Sequence, residues 1–295
     1  MPELPEVETV KRGLEKLIIG KKVTRVYFDW PKSFPNTSTD INSFLIGSGV
    51  TDVRRRAKVL IIDLDTSYSL VIHLKMTGQL VYVGRKELNI SERFGAGHPS
   101  ESLIGKLPDK STHVIFTFKD DSNLYFNDQR KFGWIRLIPT IEIPNIDFFK
   151  KVGPEPLADN FTNKDFIGRF RRRNNTTIKA ALLDQTVIAG VGNIYADESL
   201  WGAKIHPTTK VASLTDAKLN KLFIQLRNVL HLSIEKGGST DRNYVNAEGK
   251  KGSYIQFAQV FRRENQPCYR CGLLIIKTRV AGRGTHLCPK CQIAA

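Results

Sequence analysis

The sequence predicts a multidomain α+β protein, in which a β-rich first half is followed by a helical region and a short metal-stapled hairpin. Short runs of alternating or wholly apolar residues between residues 22 and 138 are typical of the strands of a β-sandwich or barrel. After residue 161 the apolar side chains recur at helical spacing. All four cysteines lie at or beyond residue 268, in two Cys-x-x-Cys pairs. The predicted strands are KVTRVYF, KVLIIDL, SLVIHL, QLVYV, HVIFTF, NLYFN and WIRLI.

The charge of the chain indicates the class of partner. Among 295 residues, 45 are Lys or Arg and 29 are Asp or Glu, so the formal net charge is +16. Such an excess favours a polyanion, most often nucleic acid and less often an anionic membrane surface. No run reaches the roughly 18 apolar residues of a membrane span, and the first residues lack the layout of a signal peptide. We therefore expect a soluble, cytoplasmic protein that does not enter membranes.

The first predicted element is an amphipathic helix whose beginning is rich in proline and acid. The chain starts MPELPEVETV, and its apolar residues up to Ile18 recur at helical spacing, with Pro5 near the first helical position. Removal of Met1 would make Pro2 a terminal secondary amine. Such an amine forms a permanently charged iminium with a sugar carbon, and Glu3 beside it can donate a proton. The alternative is a helix start whose acids only favour the first turn.

Two segments that follow the first strands are predicted to be irregular. Residues 84–112 are polar and rich in Gly, Ser and Pro, which indicates a long loop or a partly disordered insertion. The proline-containing stretch that ends at residue 160 indicates a linker. Neither pattern by itself predicts a function.

The helical region contains a candidate DNA-binding motif. The helical runs TIKAALLDQ and NIYADESLWGA flank the sequence AGVGN, in which Gly190 and Gly192 permit a tight turn and Asn193 can cap the next helix. A longer amphipathic helix is predicted over 215–236. Free amides at such a turn can bind phosphate, although a plain helix hairpin would show the same pattern. The preceding RFRRRNN favours a surface that grips a nucleic-acid backbone.

The cysteines predict one structural zinc site. Two Cys-x-x-Cys pairs separated by sixteen residues match a tetrathiolate site, with Cys268, Cys271, Cys288 and Cys291 as ligands. The alternatives are two disulfides or four unrelated thiols, and a reducing cytosol disfavours the former. The residues between the pairs indicate a β-hairpin around a Gly-rich turn that carries Arg283. This basic tip is either a DNA-contacting element or a solvated turn.

Several motifs together resemble the bacterial formamidopyrimidine-DNA glycosylases, which excise oxidised purines. They span nearly the whole chain, in the family's order: MPELPEVETV, RRRAKVL, HLKMTGQL, NDQRKFG, VGPEPL, IKAALLDQTVIAGVGNIYADESL, GGST, YVNAEGKKG and GRGTHLC. The resemblance implies an N-terminal β-sandwich with a catalytic helix (1–145), a linker (146–160), a helix–two-turn–helix domain (161–255) and a zinc-finger β-hairpin (256–295). It further implies a monomer that acts in the bacterial cytoplasm and is associated with the nucleoid when bound to DNA.

The resemblance also implies roles for individual residues. Pro2 resembles the nucleophile that attacks C1′ and forms a Schiff base, and Glu3 resembles the acid that protonates the sugar or the leaving base. Glu6 matches a supporting carboxylate. Lys58 corresponds to the lysine assigned to β-elimination and phosphate contact, and Arg283 to the arginine assigned to δ-elimination and phosphate binding. The implied activity is excision of 8-oxoguanine and formamidopyrimidines from double-stranded DNA, followed by β,δ-elimination of the strand, and abasic sites are implied as further substrates.

A second implied set contacts the DNA around the lesion. An extruded base leaves a hole in the duplex, and Met76, Arg130 and Phe132 resemble the residues that fill it. Without the resemblance, a Met and a Phe would more simply be core residues. The Gly-rich segment 237–252 resembles a loop that closes over the extruded base. Phosphate contacts are implied for His73, Lys179 and Asn193.

Some positions depart from the family pattern. Ser111 stands where a histidine is common, Asn175 where a lysine is common, and DQRKFG where DPRRFG is common. The 84–112 segment is longer than usual. Two other functional classes remain open at this point: a zinc protein that binds or scans damaged DNA without cutting it, and the related endonuclease VIII group, which prefers oxidised pyrimidines but usually starts PEG-P.

Overall fold

A computed structural model describes residues 2–85, 93–98, 100–239 and 254–294. The described chain divides into two compact units. One unit runs to Lys150 and includes residues 236–239, and the other comprises Lys151–Glu235 and the chain from Tyr254 onward. Among the described residues, no helix combines the length and the apolar character that crossing a membrane requires. The four-part division predicted from the sequence stays a prediction.

The first unit is a β-sandwich that carries one long helix. Antiparallel strands form a five-stranded sheet, in the order β1-β7-β8-β5-β6, and a four-stranded sheet, in the order β2-β3-β4-β9. Side chains from both sheets and from the first helix share one buried apolar core. The strands are β1 (Val23–Phe28), β2 (Val50–Arg56), β3 (Val59–Leu64), β4 (Tyr68–His73), β5 (Gly78–Val83), β6 (Arg93–Gly97), β7 (Thr112–Phe118), β8 (Asn123–Asp128) and β9 (Trp134–Pro139).

Helix α1 (Leu4–Ile18) forms as its apolar spacing predicts. Its buried stripe faces the sandwich core, and it is preceded by Glu3 in an extended conformation. The other helices in the described residues are α2 (Ser38–Asp40), which continues into a π-helical turn (Ile41–Leu45), α3 (Asp147–Lys151), α4 (Asn163–Arg171), α5 (Ile178–Leu183), α6 (Asn193–Ala203) and α7 (Asp216–Glu235). Short 3₁₀ turns lie at Glu101–Leu103, Thr140–Asn145, Val211–Ser213 and Tyr254–Phe257.

Two strands of the sandwich were not predicted. Strand β2 is polar on its exposed side and ends in three arginines, so its sequence lacks an apolar alternation. Strand β6 has the sequence RFGAG and lies inside 84–112, which was predicted to be a loop or disordered; that prediction is wrong for residues 93–97. Glycine is unfavourable in strands, but Gly97 is required here by a close approach of two backbones. A Cβ on Gly97 would lie only 2.5 Å from the carbonyl oxygen of Gly78.

The second unit packs helices around their own core. Helices α5 and α6 flank the AGVGN turn, and Gly190 has φ +77° there, as a tight turn requires. Helix α7 agrees with the helix predicted over 215–236. Helix α4 was not predicted; Thr162 caps it, with its hydroxyl accepting from the backbone N–H of Asp165 at 3.2 Å. The N-cap of α6 is Gly192, so the predicted capping role of Asn193 is wrong.

The end of the chain forms the predicted hairpin. Strands β10 (Ile276–Val280) and β11 (Arg283–Leu287) are antiparallel, and Val280 pairs with Arg283 across a two-residue turn. Ala281 and Gly282 have φ values of +49° and +74°, as a type I′ turn requires at both positions. The chain that enters the hairpin is held by Glu198, whose carboxylate accepts hydrogen bonds from the backbone N–H groups of residues 259, 260 and 261.

Candidate active site and nucleic-acid interface

The residues around the start of α1 form a buried acidic site. Pro2 is buried, and Glu3 and Glu6 are only 4% and 6% exposed. One oxygen of Glu6, Oε2, accepts a hydrogen bond from the backbone N–H of Glu3 at 2.8 Å. The other, Oε1, accepts from the backbone N–H of Ser239 at 2.6 Å. Glu6 thus fixes the backbone beside Pro2, and it also holds the chain that precedes residues 240–253.

Lys58 lies in a turn that is tied to α1. The turn joins β2 to β3, Ala57 adopts φ +55° in it, and Lys58 is 6% exposed. Arg55 donates to the carbonyl oxygen of Ala57 and to Glu8 Oε2, both at 2.9 Å. Burial alone would raise the pKa of Glu8, but Arg55 and Arg12 outweigh it and hold that pKa below its ordinary value. The ionised Glu8 therefore anchors the turn that carries Lys58 to the helix that carries Pro2.

His73 is a neutral donor in this structure. Its Nδ1 accepts a hydrogen bond from the backbone N–H of Lys75 at 2.9 Å, so the ring proton is on Nε2. Burial lowers its pKa to about 3, and the positive charges of Lys75 and Lys58 add to the effect. An Nε2–H group that stays neutral at physiological pH is suited to donate to a phosphate oxygen, the role predicted for His73.

This pKa predicts a pH dependence of stability. The pKa of His73 is lower in the folded chain than the ordinary 6.5, so the unfolded chain binds more protons as the pH falls from about 6.5 toward 3. When the pH is lowered from 7.5 to 5.0, the free energy of unfolding should fall by about 2 kcal/mol more in the wild type than in His73→Gln. Urea unfolding at both pH values measures this. His231→Gln, on the exposed side of α7, is the control, and equal losses in wild type and His73→Gln would contradict the prediction.

The proposed void-filling residues lie together on two neighbouring turns. Met76 and Phe132 are 41% and 51% exposed, which is unusual for large apolar side chains. The Arg130 guanidinium lies between them, with Nη1 3.2 Å from Met76 Sδ and Cζ 4.8 Å from the centre of the Phe132 ring. The three side chains therefore form one exposed group, as the resemblance implies for residues that enter a duplex.

Asp128 holds both turns in place. This side chain is fully buried, and its carboxylate accepts from the backbone N–H groups of Phe132 at 2.8 Å and Gly133 at 2.6 Å. It also accepts from the hydroxyl of Thr77, next to Met76, and from the backbone N–H of Arg130 at 3.2 Å. Sequence reasoning missed Asp128. The available signal was an acid at the start of DQRKFG, directly after an apolar strand.

The second unit places its predicted residues around the tip of the hairpin. Arg283 is exposed at the first position of β11. The amide nitrogen of Asn193 donates to the carbonyl oxygen of Gly284 at 2.9 Å, so a phosphate contact by Asn193 would use its second N–H. Both residues thus lie at the same tip.

Lys179 lies inside the unit. It is fully buried, and its Nζ donates to Asp197 at 2.6 Å, to the Thr285 hydroxyl at 2.7 Å and to the Gly284 carbonyl at 3.3 Å. A fully buried ammonium with these partners does not support the predicted direct phosphate contact. Its geometry supports a structural role, since it joins α5 and α6 to the hairpin. Asp197, which also accepts from the backbone N–H of His286 at 2.9 Å, was missed by sequence reasoning.

The four cysteines form a site that fits one metal ion. Their sulfur atoms all lie within 4.8 Å of one another, and no disulfide links them. A tetrahedral zinc with Zn–S bonds of about 2.3 Å separates its sulfurs by about 3.8 Å. The sulfurs of Cys271 and Cys288 are 3.4 Å apart, and those of Cys268 and Cys291 are 4.0 Å apart. Trp201 Nε1 points a hydrogen at Cys268 Sγ from 3.4 Å, which stabilises a thiolate ligand.

Comparisons with known proteins agree with this arrangement. Three family models match in succession: the formamidopyrimidine-DNA glycosylase N-terminal domain over residues 1–135, the formamidopyrimidine-DNA glycosylase H2TH domain over 152–244, and the zinc finger found in FPG and IleRS over 265–293. The formamidopyrimidine-DNA glycosylase of Streptococcus pyogenes serotype M18 is 42% identical over 296 residues, covering 99% of this chain and 98% of that protein.

Solved structures show the same fold. The Lactococcus lactis enzyme in complex with DNA that contains an abasic site is 35% identical with a TM-score of 0.85, and the match covers 99% of both chains. A mutant of that enzyme in complex with Fapy-dG-containing DNA has the same identity and TM-score, over 99% of this chain and 100% of that one. The predicted sandwich, H2TH domain and zinc finger are confirmed, and the chain belongs to the formamidopyrimidine-DNA glycosylase family of base-excision repair enzymes.

Proposed function

We propose that this chain is a bifunctional DNA glycosylase and abasic-site lyase that excises oxidised purines from double-stranded DNA, with Pro2 as its nucleophile. The observation that carries the proposal is the site at the start of α1, where Pro2 and Glu3 are buried and Glu6 holds the Glu3 backbone. Once Met1 is removed, the Pro2 nitrogen is a secondary amine at the positive end of a helix dipole, which favours its neutral, nucleophilic form.

The chemistry follows from these groups. The Pro2 nitrogen forms a bond to C1′, the bond from C1′ to the base breaks, and the leaving base takes a proton, which Glu3 is placed to supply. The bond from C1′ to O4′ then breaks, O4′ takes a proton, and the nitrogen, which has lost its own proton, forms an iminium with C1′. This iminium withdraws electrons from C2′, so loss of a C2′ proton expels the 3′ phosphate. A second elimination expels the 5′ phosphate. Lys58 assists the first elimination and Arg283 the second, each next to the phosphate that departs.

The DNA is held by cationic groups and entered by the exposed Met76, Arg130 and Phe132. Phe132 is a wedge that unstacks a base step, and the Arg130 guanidinium donates to the orphan base. The His73 Nε2–H, Asn193 and Arg283 contact phosphates, while Lys179 and one zinc ion at the four cysteines keep the hairpin in position. The net charge of +16 supports a polyanionic partner. The protein acts as a monomer in the bacterial cytoplasm and is associated with the nucleoid when it is bound to DNA.

Borohydride trapping tests the nucleophile. The processed protein, with Pro2 exposed, should form a covalent adduct with a duplex that carries 8-oxoguanine, and mass spectrometry should locate the adduct on Pro2. Retention of Met1 should abolish the adduct, because it blocks the Pro2 nitrogen. Pro2→Gly should diminish the adduct, because the imine of a primary amine can become neutral and is then a weaker electron sink than the iminium of proline. A protein that binds the lesion duplex with Pro2 free yet never cuts it would overturn the proposal in favour of a damage-scanning protein.

Substrate competition tests the preference for purines. We expect unlabelled 8-oxoguanine duplex to compete with the labelled substrate far better than a thymine glycol duplex does. Equal or better competition by thymine glycol would place the chain with the enzymes that favour oxidised pyrimidines. Zinc-bound protein is used in both assays, so that a difference between the two duplexes reflects base preference and not loss of the hairpin.

A further inference from the structure

Strand β6 lies in the segment 84–112, for which the sequence suggests no function, and it packs directly against α1. Phe94 is 2% exposed, and its ring covers Gly13 of α1 so closely that a Cβ on Gly13 would lie 2.0 Å from Phe94 Cζ. Ring atoms Cε1 and Cε2 would be 2.5 and 2.2 Å from that Cβ. The helix therefore has a notch at Gly13 that the Phe94 ring fills, and this contact fixes both the distance of α1 from the sheet and its position along its own axis.

The same strand is joined to the turn that carries Met76. The backbone N–H of His98, directly after β6, donates to the carbonyl oxygen of Gly78 at 3.1 Å. Gly97 lies against the backbone of Gly78, with room for no side chain. Gln79 Nε2 donates to Ser100 Oγ at 2.7 Å and to the carbonyl oxygen of His98. The far end of β6 is thus held at the point where the Met76 turn enters β5.

The residues after β6 also reach the turn of Arg130 and Phe132, which together with the Met76 turn forms the two recognition turns. Arg93 Nε donates to the carbonyl oxygen of Leu103 at 2.9 Å, which folds residues 100–103 back onto the strand. The hydroxyls of Ser102 and Ser111 are 3.0 Å apart, and both side chains are buried. The backbone N–H of Asp128 then donates to the carbonyl oxygen of Ser111 at 2.7 Å. Asp128 is the residue that orders the turn of Arg130 and Phe132.

We propose that β6 is a positioning element for the reaction, in which Phe94 seats the nucleophile-bearing helix on Gly13 and so places Pro2 relative to the two recognition turns. Phe94 is a positioning residue that acts through α1. The inference rests on the proposed function, because it assumes that Pro2 attacks the sugar. A shift of the reacting nitrogen by about 1 Å is enough to slow a reaction about a hundredfold, whereas DNA binding depends on side chains elsewhere.

Single-turnover trapping and DNA binding, measured separately, test this inference. In Phe94→Leu we expect adduct formation with abasic duplex to slow by about tenfold or more, with the Kd for a tetrahydrofuran-containing duplex within about twofold of wild type. Phe116→Leu, which shortens another buried phenylalanine of the same sheet, packed on Phe34, should leave both quantities within about twofold. Thermal melting of Phe94→Leu and Phe116→Leu serves as the control, because it shows that the two variants lose similar stability.

A double-mutant cycle makes the test independent of folding. Gly13→Ala alone should slow adduct formation, because its methyl group collides with the Phe94 ring. In Gly13→Ala/Phe94→Leu the methyl group enters the space that the ring leaves, so the combined loss should be smaller than the product of the single losses. Multiplicative losses, or a Phe94→Leu rate equal to wild type, would overturn the inference. A wild-type protein that forms no adduct would instead overturn the proposed function.

Discussion

Glu3→Gln is expected to slow release of 8-oxoguanine by about 10²–10⁴-fold, the usual contribution of a general acid. Glutamine has nearly the size of glutamate and preserves the packing of a side chain that is only 4% exposed, but it cannot give up a proton to the leaving base. Cleavage of a duplex with a preformed abasic site should be much less affected, because no base has to leave. The two substrates therefore separate the role of Glu3 from that of Pro2.

The measurement is a single-turnover rate on each duplex, with product resolved by gel electrophoresis. Glu15→Gln is the matched control: it makes the same chemical change on α1, at a partly exposed carboxylate whose oxygen is 2.6 Å from Lys11 Nζ. We expect the control to follow wild type on both substrates. If Glu3→Gln slows both substrates equally, Glu3 supports attack by Pro2 and is not the acid for base departure.

Removal of zinc is expected to abolish strand cleavage by unfolding the hairpin. Strand β10 has four exposed residues among its five, so the hairpin has too little apolar burial to be stable by itself. Structural zinc contributes about 10–16 kcal/mol of apparent folding free energy in isolated finger peptides at neutral pH. In the folded hairpin the four cysteine sulfurs lie within 4.8 Å of one another, so without the ion the thiolates among them would repel and destabilise this arrangement. Arg283 then loses its fixed place.

A chelator titration measures this loss. Release of one zinc per chain, followed with a metallochromic indicator, should parallel the loss of cleavage, and added Zn²⁺ should restore cleavage while Mg²⁺ should not. Cys271→Ser should show the same defect without a chelator. Metal-free protein that cleaves lesion DNA at the wild-type rate would show that neither the hairpin nor Arg283 is needed for the reaction.

The sequence predicted elements wherever local pattern and packing agree. Helix α1, helix α7 and seven strands follow from apolar spacing, and the zinc site follows from cysteine spacing. Strand β6 could not be predicted, because a segment with two glycines looks irregular until its close approach to Gly78 is known. Helix α4 was missed because its pattern is short and mixed with arginines.

The sequence identified the residues of the candidate site better than it identified their contacts. The motifs identified Pro2 and Glu3, and their burial agrees with a reaction site. The family resemblance implied a phosphate contact for Lys179, but its partners Asp197 and Thr285 are distant in sequence and become neighbours only in the folded unit. Asp128 was missed for the same reason, since a buried acid is recognisable only once its backbone donors are in place.

The shared carboxylate of Glu6 has a thermodynamic consequence. Its two oxygens each hold a backbone amide, one at residue 3 and one at residue 239, so whatever changes the occupancy of one hydrogen bond changes the stability of the other. Such linkage is reciprocal. Cutting away the initiator methionine should therefore alter the hydrogen–deuterium exchange rate of an amide more than 230 positions along the chain, and that rate offers a spectroscopic signal of N-terminal maturation that needs no DNA.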